Sequence, residues 1–261
     1  TVNLGVRANY QTSNQELLIS PRVQIAYRPL KNENIIWKAS SGLYQQQPFY
    51  REMRNVQGVL NTSLKAQKSF QVAGGFDWNF KMLGERPFKL TGEMYYKNLW
   101  DLVPYEYDNV RIRYNADNNA KGYAYGGELR LFGELVKDAE SWVSLGLMKT
   151  QNRILDQQTQ TWSEYIDRPT DQRFTLGMFF SDYLPGNKNF KVFLNMMFAS
   201  GLPYGPRTEN MIPKYQMRIP AYKRVDIGFA TLLLDGSVKG KYDGTIFKSV
   251  ESMWFSLEVF N

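Results

Sequence analysis

Cysteine and histidine are both absent from the 261 residues. Their absence removes thiol nucleophiles, disulfides, Cys/His zinc sites and every catalytic arrangement that uses imidazole as its base. Most hydrolase chemistry is thereby excluded, and the chain reads as a non-enzyme with no metal centre and no resident cofactor. An oxidising compartment tolerates a cysteine-free chain well. Long apolar runs are lacking too: no window of about 18 apolar residues occurs, so no transmembrane helix is encoded. Helical periodicity is almost missing. Basic clusters are also missing. Lys and Arg number 32 against 25 Asp and Glu, a net +7, yet they stand singly in strand-like segments, without the patch a nucleic-acid partner needs. No nucleic-acid partner is expected.

Rings are abundant: 16 Phe, 17 Tyr and 6 Trp make up 15% of the chain. They fall into a period of two. Phe70, Val72, Gly74, Phe76, Trp78 and Phe80 alternate with Gln71, Ala73, Gly75, Asp77, Asn79 and Lys81, and successive side chains of a strand leave opposite faces. One face is oily and the other wet. The pattern recurs at Val2 to Tyr10, Phe88 to Lys97, Arg173 to Phe180 and Arg224 to Phe229. It predicts about eleven strands, over 1–10, 19–28, 35–44, 69–81, 88–98, 123–134, 141–150, 172–181, 190–199, 224–234 and 250–261.

These segments are longer than the five or six residues of an average soluble strand. They approach the nine to eleven that a tilted strand needs to cross a bilayer. The connections alternate, short at 29–34, 82–87, 135–140 and 182–189, long at 45–68, 99–122, 151–171 and 200–223. Short turns on one side and long loops on the other are the habit of outer-membrane barrels, whose alternating faces also average to a hydrophilic composition. Tyr27, Trp37, Trp78, Phe88, Trp142, Phe180, Tyr183 and Phe190 sit near the short turns and are expected to form an interfacial aromatic girdle. The fold class is therefore all-β, a transmembrane antiparallel up-and-down β-barrel. With the 29–34 turn on the periplasmic side, the first and last strands both run outward. Eleven antiparallel strands do not close an even-numbered bacterial barrel, so 1–261 reads as a single partial barrel domain.

Local motifs add little chemistry. Asp117 to Gly122 with Glu128 imitates a calcium loop, but Lys121 takes a ligand position and the segment leads into a strand instead of a helix. Asn61-Thr62-Ser63 fits a glycosylation acceptor by chance. The inward-facing charges Arg7, Arg22, Lys38, Asp77, Lys89, Glu93, Lys97, Glu128, Arg130, Arg173, Arg224, Asp226 and Glu258 are either a hydrated wall paired across strands or contacts to a plug and a substrate path. The long connections carry Phe49, Tyr50, Trp100, Tyr105, Tyr107, Trp162, Tyr165, Tyr204, Tyr215 and Tyr222. Such rings either stack on a ligand or stiffen the extracellular crown. Arg51, Arg54, Arg111, Arg113, Arg153, Arg168, Arg207 and Arg218 lie beside them and suit an anionic ligand or lipopolysaccharide phosphates.

Several runs resemble one family. These are Ser20 to Pro29 (SPRVQIAYRP), Pro48 to Glu52 (PFYRE), Leu64 to Ser69 (LKAQKS), Tyr96 to Tyr105 (YKNLWDLVPY) and Ile219 to Gly228 (IPAYKRVDIG). Together and in this order they resemble the C-terminal barrel half of TonB-dependent outer-membrane receptors, most closely those of Bacteroidetes-type bacteria. The resemblance implies a barrel of about 22 strands, of which the eleven here match roughly strands 11 to 21 in number and direction. The stretch from Trp254 to Asn261 is similar to the penultimate strand. A plug domain, a last strand and an N-terminal TonB box would then lie outside this sequence. The implied activity is capture of a scarce nutrient at the loops (siderophore, haem, corrinoid, glycan or peptide) and TonB-coupled uptake, with outer-membrane lipid and lipopolysaccharide around the wall. A passive porin or export channel is the alternative, and a soluble carbohydrate-binding β-protein is a third reading.

Overall fold

The computed structural model describes residues 1–261 apart from 109–110, 137–138, 185–186, 207–211, 214–215, 236–243 and 248, and apart from the side chain of residue 136. Its strands are β1 (Val2–Gln11), β2 (Glu16–Tyr27), β3 (Ile35–Gln46), β4 (Gln67–Met82), β5 (Arg86–Leu102), β6 (Tyr105–Asp108), β7 (Arg111–Tyr114), β8 (Ala120–Val136), β9 (Ala139–Asp156), β10 (Thr161–Trp162), β11 (Ile166–Asp167), β12 (Phe174–Leu184), β13 (Asn187–Ala199), β14 (Pro203–Tyr204), β15 (Met217–Arg218), β16 (Tyr222–Asp235) and β17 (Ser252–Val259). Eleven of them make one antiparallel meander in the order β1-β2-β3-β4-β5-β8-β9-β12-β13-β16-β17, with β10 and β11 attached to β9. These eleven are the strands expected from the period of two. The other six are short, and β6-β7 and β14-β15 are hairpins within connections.

Register carries each face across the sheet. Ile25, Ala39, Gly74, Met94, Gly127, Leu147 and Phe174 form one cross-strand row. One residue along, Ala26, Lys38, Gly75, Glu93, Glu128, Gly146, Thr175, Ala199 and Tyr222 form the next. The first row is apolar and open, with Met94 77% and Leu147 54% exposed on the outward face. A soluble sandwich would cover such side chains, at about 25 cal/mol for each Å² of apolar surface left in water. Hydrocarbon is the solvent that stabilises them here. Among the described residues the clustered buried core is small and lies at the long-connection end, where Leu99, Leu102, Ala120 and Ile154 pack with Ile166 and Ile212.

Trp37, Trp78 and Phe88 lie on the outward face near the short turns. Trp37 and Phe76 lie 5.7 Å apart, Trp78 and Phe80 4.6 Å, and Phe80 and Phe88 5.8 Å. Trp142 and Tyr183 correct the expectation, because register sets both on the inward face: Trp142 opposes Phe132 and Phe179, and Tyr183 opposes Lys191. Cations occupy both rings, Arg130 at 5.0 Å from Trp142 and Lys191 at 4.8 Å from Tyr183. Gly177 makes room for the first, since a Cβ there would come within 3.1 Å of the indole.

The alternation of connection lengths has two exceptions. On the long-loop side, β1 and β2 are joined by only 12–15, with Gln15 at φ 56°. On the short-turn side, β16 and β17 are separated by 236–251.

Candidate ligand-binding site at the lumen mouth

Three long connections converge where β3, β4 and β5 end. The 47–66 connection folds around Glu52, whose carboxylate accepts hydrogen bonds from the Phe49 backbone N–H and from Gln67 Nε2, both at 2.9 Å. Burial nonetheless pushes the Glu52 carboxyl above its ordinary value. Leu64 and Ala66 are buried, and Asn14 and Glu16 of the β1-β2 turn region bond the Leu64 carbonyl and the Ala66 N–H at 2.8 Å. Asn118, from the calcium-like run, stitches connections together: its Oδ1 accepts from Lys65 N–H and its Nδ2 donates to the Asp101 carbonyl, both at 2.7 Å. Asn61 of the glycosylation-like triplet donates to the Ala116 carbonyl. Both motifs are thus absorbed in loop structure.

The β6-β7 hairpin leans over this base. Its Tyr105 ring contacts both Tyr107 and Tyr114, with centroids 5.9 Å and 5.8 Å away. Together with Tyr44, Phe49, Lys97 and Arg168 they wall a cavity of about 500 Å³. Ligand pockets typically run from about 300 to 1,000 Å³. Burial, and then the neighbouring Tyr105, push the Tyr107 phenol up, so at neutral pH it is a hydroxyl that donates and accepts.

The 157–173 connection is latched by charge. Asp171 is fully buried; its Oδ1 accepts from the Thr150 N–H at 2.6 Å and its Oδ2 pairs with Arg173 and Arg218. Asp167 accepts from Gln151 at 2.8 Å, Arg173 at 2.9 Å and Arg218 at 2.7 Å. Arg173 and Arg218 are therefore consumed in a loop lock.

The remaining sequence candidates scatter around this mouth. Trp162 is covered by Lys121 at 4.2 Å and Arg153 at 5.2 Å, and Tyr165 by Tyr123 at 5.2 Å, an arrangement that stiffens the crown. Tyr50 stacks with and bonds Arg54. Tyr204 in β14 is exposed beside Met217. Trp100 belongs to β5, not to a loop, and its pairing with Lys68 puts it on the outward row of Tyr96. Arg51 and Arg111 are exposed. Tyr222 begins β16 on the inward row. Tyr215 and Arg207 lie outside the described residues. The value of Arg168, one arginine among eight, was invisible in the sequence because its neighbours come from connections 60 residues away.

On the inner wall, Asp77 bridges Lys38 at 2.6 Å and Lys89 at 3.2 Å. Arg224 pairs with Asp226 at 2.8 Å, Arg7 bonds Asn9 at 3.3 Å, and Arg22 lies 4.4 Å from the Tyr44 ring. Glu93 and Glu128 face each other across β5 and β8. Glu258 is exposed on β17, opposite Gly228. The wall is charged and polar, with Asp77 paired across strands to Lys38 and Lys89.

An antiparallel meander that is oily outside, charged inside and crowned at one end defines a segment of an outer-membrane β-barrel. A sequence profile described as "TonB dependent receptor-like, beta-barrel" matches residues 1–238. The chain belongs to that family, whose barrels lie in the bacterial outer membrane and whose members are receptors, not enzymes. No curated protein matches it by sequence. Solved structures similar to it include the outer membrane transporter YddB from Escherichia coli, with a TM-score of 0.63 at 13% identity over 100% of this chain and 39% of that one. The FrpB iron transporter from Neisseria meningitidis (F3-3 variant) has a TM-score of 0.59 at 13% identity, covering 83% of this chain and 32% of that one. A copper transporter, OprC, has a TM-score of 0.59 at 15% identity, with 84% and 32% covered. The chain thus spans about a third of the length of these structures.

Proposed function

We propose that this chain supplies the wall and part of the capture crown of a receptor that takes up a scarce nutrient with TonB-coupled energy. In this reading it is one partial barrel domain, the full-length protein adds a plug, further strands and an energy-coupling segment, and lipopolysaccharide surrounds the crown. The observation that supports it is the tyrosine-walled cavity at the lumen mouth, opening onto a polar inner wall. A cavity of that kind binds and orients a solute, whereas passive flow needs only width.

Growth of a deletion strain on defined nutrients tests the reading. One nutrient is expected to fail to support growth, to be rescued by the full-length gene, and to lose that rescue when the proton-motive force or TonB is removed. Rescue that persists without TonB would establish the passive channel instead.

A further inference from the structure

Most cations at the mouth already have a partner. Lys68 pairs with Glu16 at 3.2 Å and Asp101 at 3.0 Å, Arg218 and Arg173 with Asp167 and Asp171, and Arg153 stacks on Trp162 and Tyr165. Arg168 differs. Its backbone is fixed, with the N–H donating to the Thr150 carbonyl at 3.1 Å and its carbonyl accepting from the Asp171 N–H at 2.8 Å. Its guanidinium lines the tyrosine cavity and has no hydrogen-bond or ion-pair partner among the described residues. Burial lowers its pKa, and proximity to Tyr105 opposes the shift only in part. The side chain is partly accessible, a guanidinium stays charged at any physiological pH, and among the described residues no carboxylate offsets it. Of the two other cations on the wall, Lys68 is the one paired above, while Lys97 has its ammonium 5.0 Å from the Tyr95 ring and no carboxylate partner among the described residues. The wall's one carboxylate, Glu52, is held by Phe49 and Gln67.

Resting on the uptake reading above, we infer that this cavity takes a ligand with a carboxylate on a flat aromatic or conjugated body, the carboxylate bound by Arg168 and the body stacked against Tyr105 and Tyr107. The fork of a guanidinium matches a carboxylate with two parallel hydrogen bonds, and the rings add apolar area with hydroxyls at the rim. The latch through Asp171, three residues along the same connection, holds Arg168 in place before the ligand arrives, so little ordering entropy is lost on binding.

Three probes of equal size test the charge requirement on the full-length receptor in detergent: naphthoate, naphthamide and naphthylmethylamine, titrated by calorimetry. Naphthoate is expected to bind roughly ten- to hundredfold more tightly than the amide, the range that a charge-assisted hydrogen bond supplies, and the amine not at all. Arg168→Gln should abolish the preference for naphthoate while leaving amide binding unchanged, and Arg168→Lys should keep part of it. Unchanged heat-modifiable mobility on gels checks that each variant is folded. Equal affinities for acid and amide, an unaltered preference in Arg168→Gln, or no naphthoate binding would each overturn the inference. TonB-dependent rescue of growth, measured independently, would then still stand, so the two readings fail separately.

Discussion

At the scale of single residues, Leu129 and Arg130 are the sharpest test of which solvent each face meets. They are neighbours in β8 and leave opposite sides of the sheet, Leu129 pairing with Gly92 and Leu145 on the outward row, Arg130 with Thr91 and Ser144 on the inward one. Leu129→Arg in the full-length protein should cost roughly 2–4 kcal/mol in a urea titration if the site lies near the bilayer midplane. Arg130→Leu should lose only the Trp142 contact, about 0.5–1 kcal/mol at an accessible site. Equal losses would show that both faces meet the same medium. Alternation made these two positions legible in the sequence, because leucine and arginine each suit one solvent. Trp142 and Tyr183 were not legible, because a ring suits an interface and a cation-lined wall equally, and only strand register distinguishes them. Trp100 departs from the expected loop for a different reason: β5 continues past the alternating pattern to Leu102, where Leu99 and Leu102 are buried against Ala120 and Ile154 across an irregular register.

At the scale of elements, the crown is separable from the wall. Asp171 ties the 157–173 connection to β9 and to the β14-β15 hairpin through Thr150, Arg173 and Arg218. Removing one partner of a buried charge network leaves the others uncompensated, although the two arginines are 39% and 32% exposed at their side chains and solvent offsets part of the loss. Asp171→Ala should therefore loosen 157–173 to limited proteolysis while the spanning strands stay protected. Acid should do the same without mutation. Burial raises the Asp167 carboxyl, but the Gln151 hydrogen bond and the Arg173 and Arg218 charges outweigh it and hold the group below its ordinary 3.8. A depressed folded value means that its stabilisation is complete above about pH 3.8 and is lost as pH falls through the depressed value. Hydrogen exchange over 157–173 should thus accelerate near pH 3 relative to pH 6, beyond the intrinsic pH dependence seen in the wall strands. The eleven long strands were legible because nine or more alternating residues make a period visible. The short strands β6, β7, β10, β11, β14 and β15 were not, since two to four residues carry no period, whether they pair within one connection, as β6 with β7, or with a spanning strand, as Ile166 with Asn152. The two exceptions to the alternation of lengths, 12–15 and 236–251, were legible as well, since the predicted strands leave 11–18 and 235–249 between them.

At the scale of the whole molecule, direction decides what the sheet can do. Every neighbour in the meander is antiparallel, so the first and eleventh strands, β1 and β17, run the same way. Closing the sheet on itself would pair those two in parallel, a slightly weaker ladder unlike all the others. Both are almost wholly exposed, including Val2, Leu4, Val6, Leu257 and Val259, and an unpaired, apolar edge strand is a template for any other edge it meets. In hydrocarbon the demand is stronger, because unpaired backbone N–H and C=O groups find no water there. The 261-residue chain expressed alone should therefore associate edge to edge in detergent. Light scattering should give dimers or larger species, and proline at Ala8 and Leu257 should reduce them by removing edge donors. A stable monomer would mean that β1 and β17 had met in parallel after all. Strand number and direction were readable from the sequence, so this consequence was too. The cavity that Arg168 lines was not, because it forms only when three connections far apart in the chain are brought to one rim by strands whose own pattern says nothing about loops.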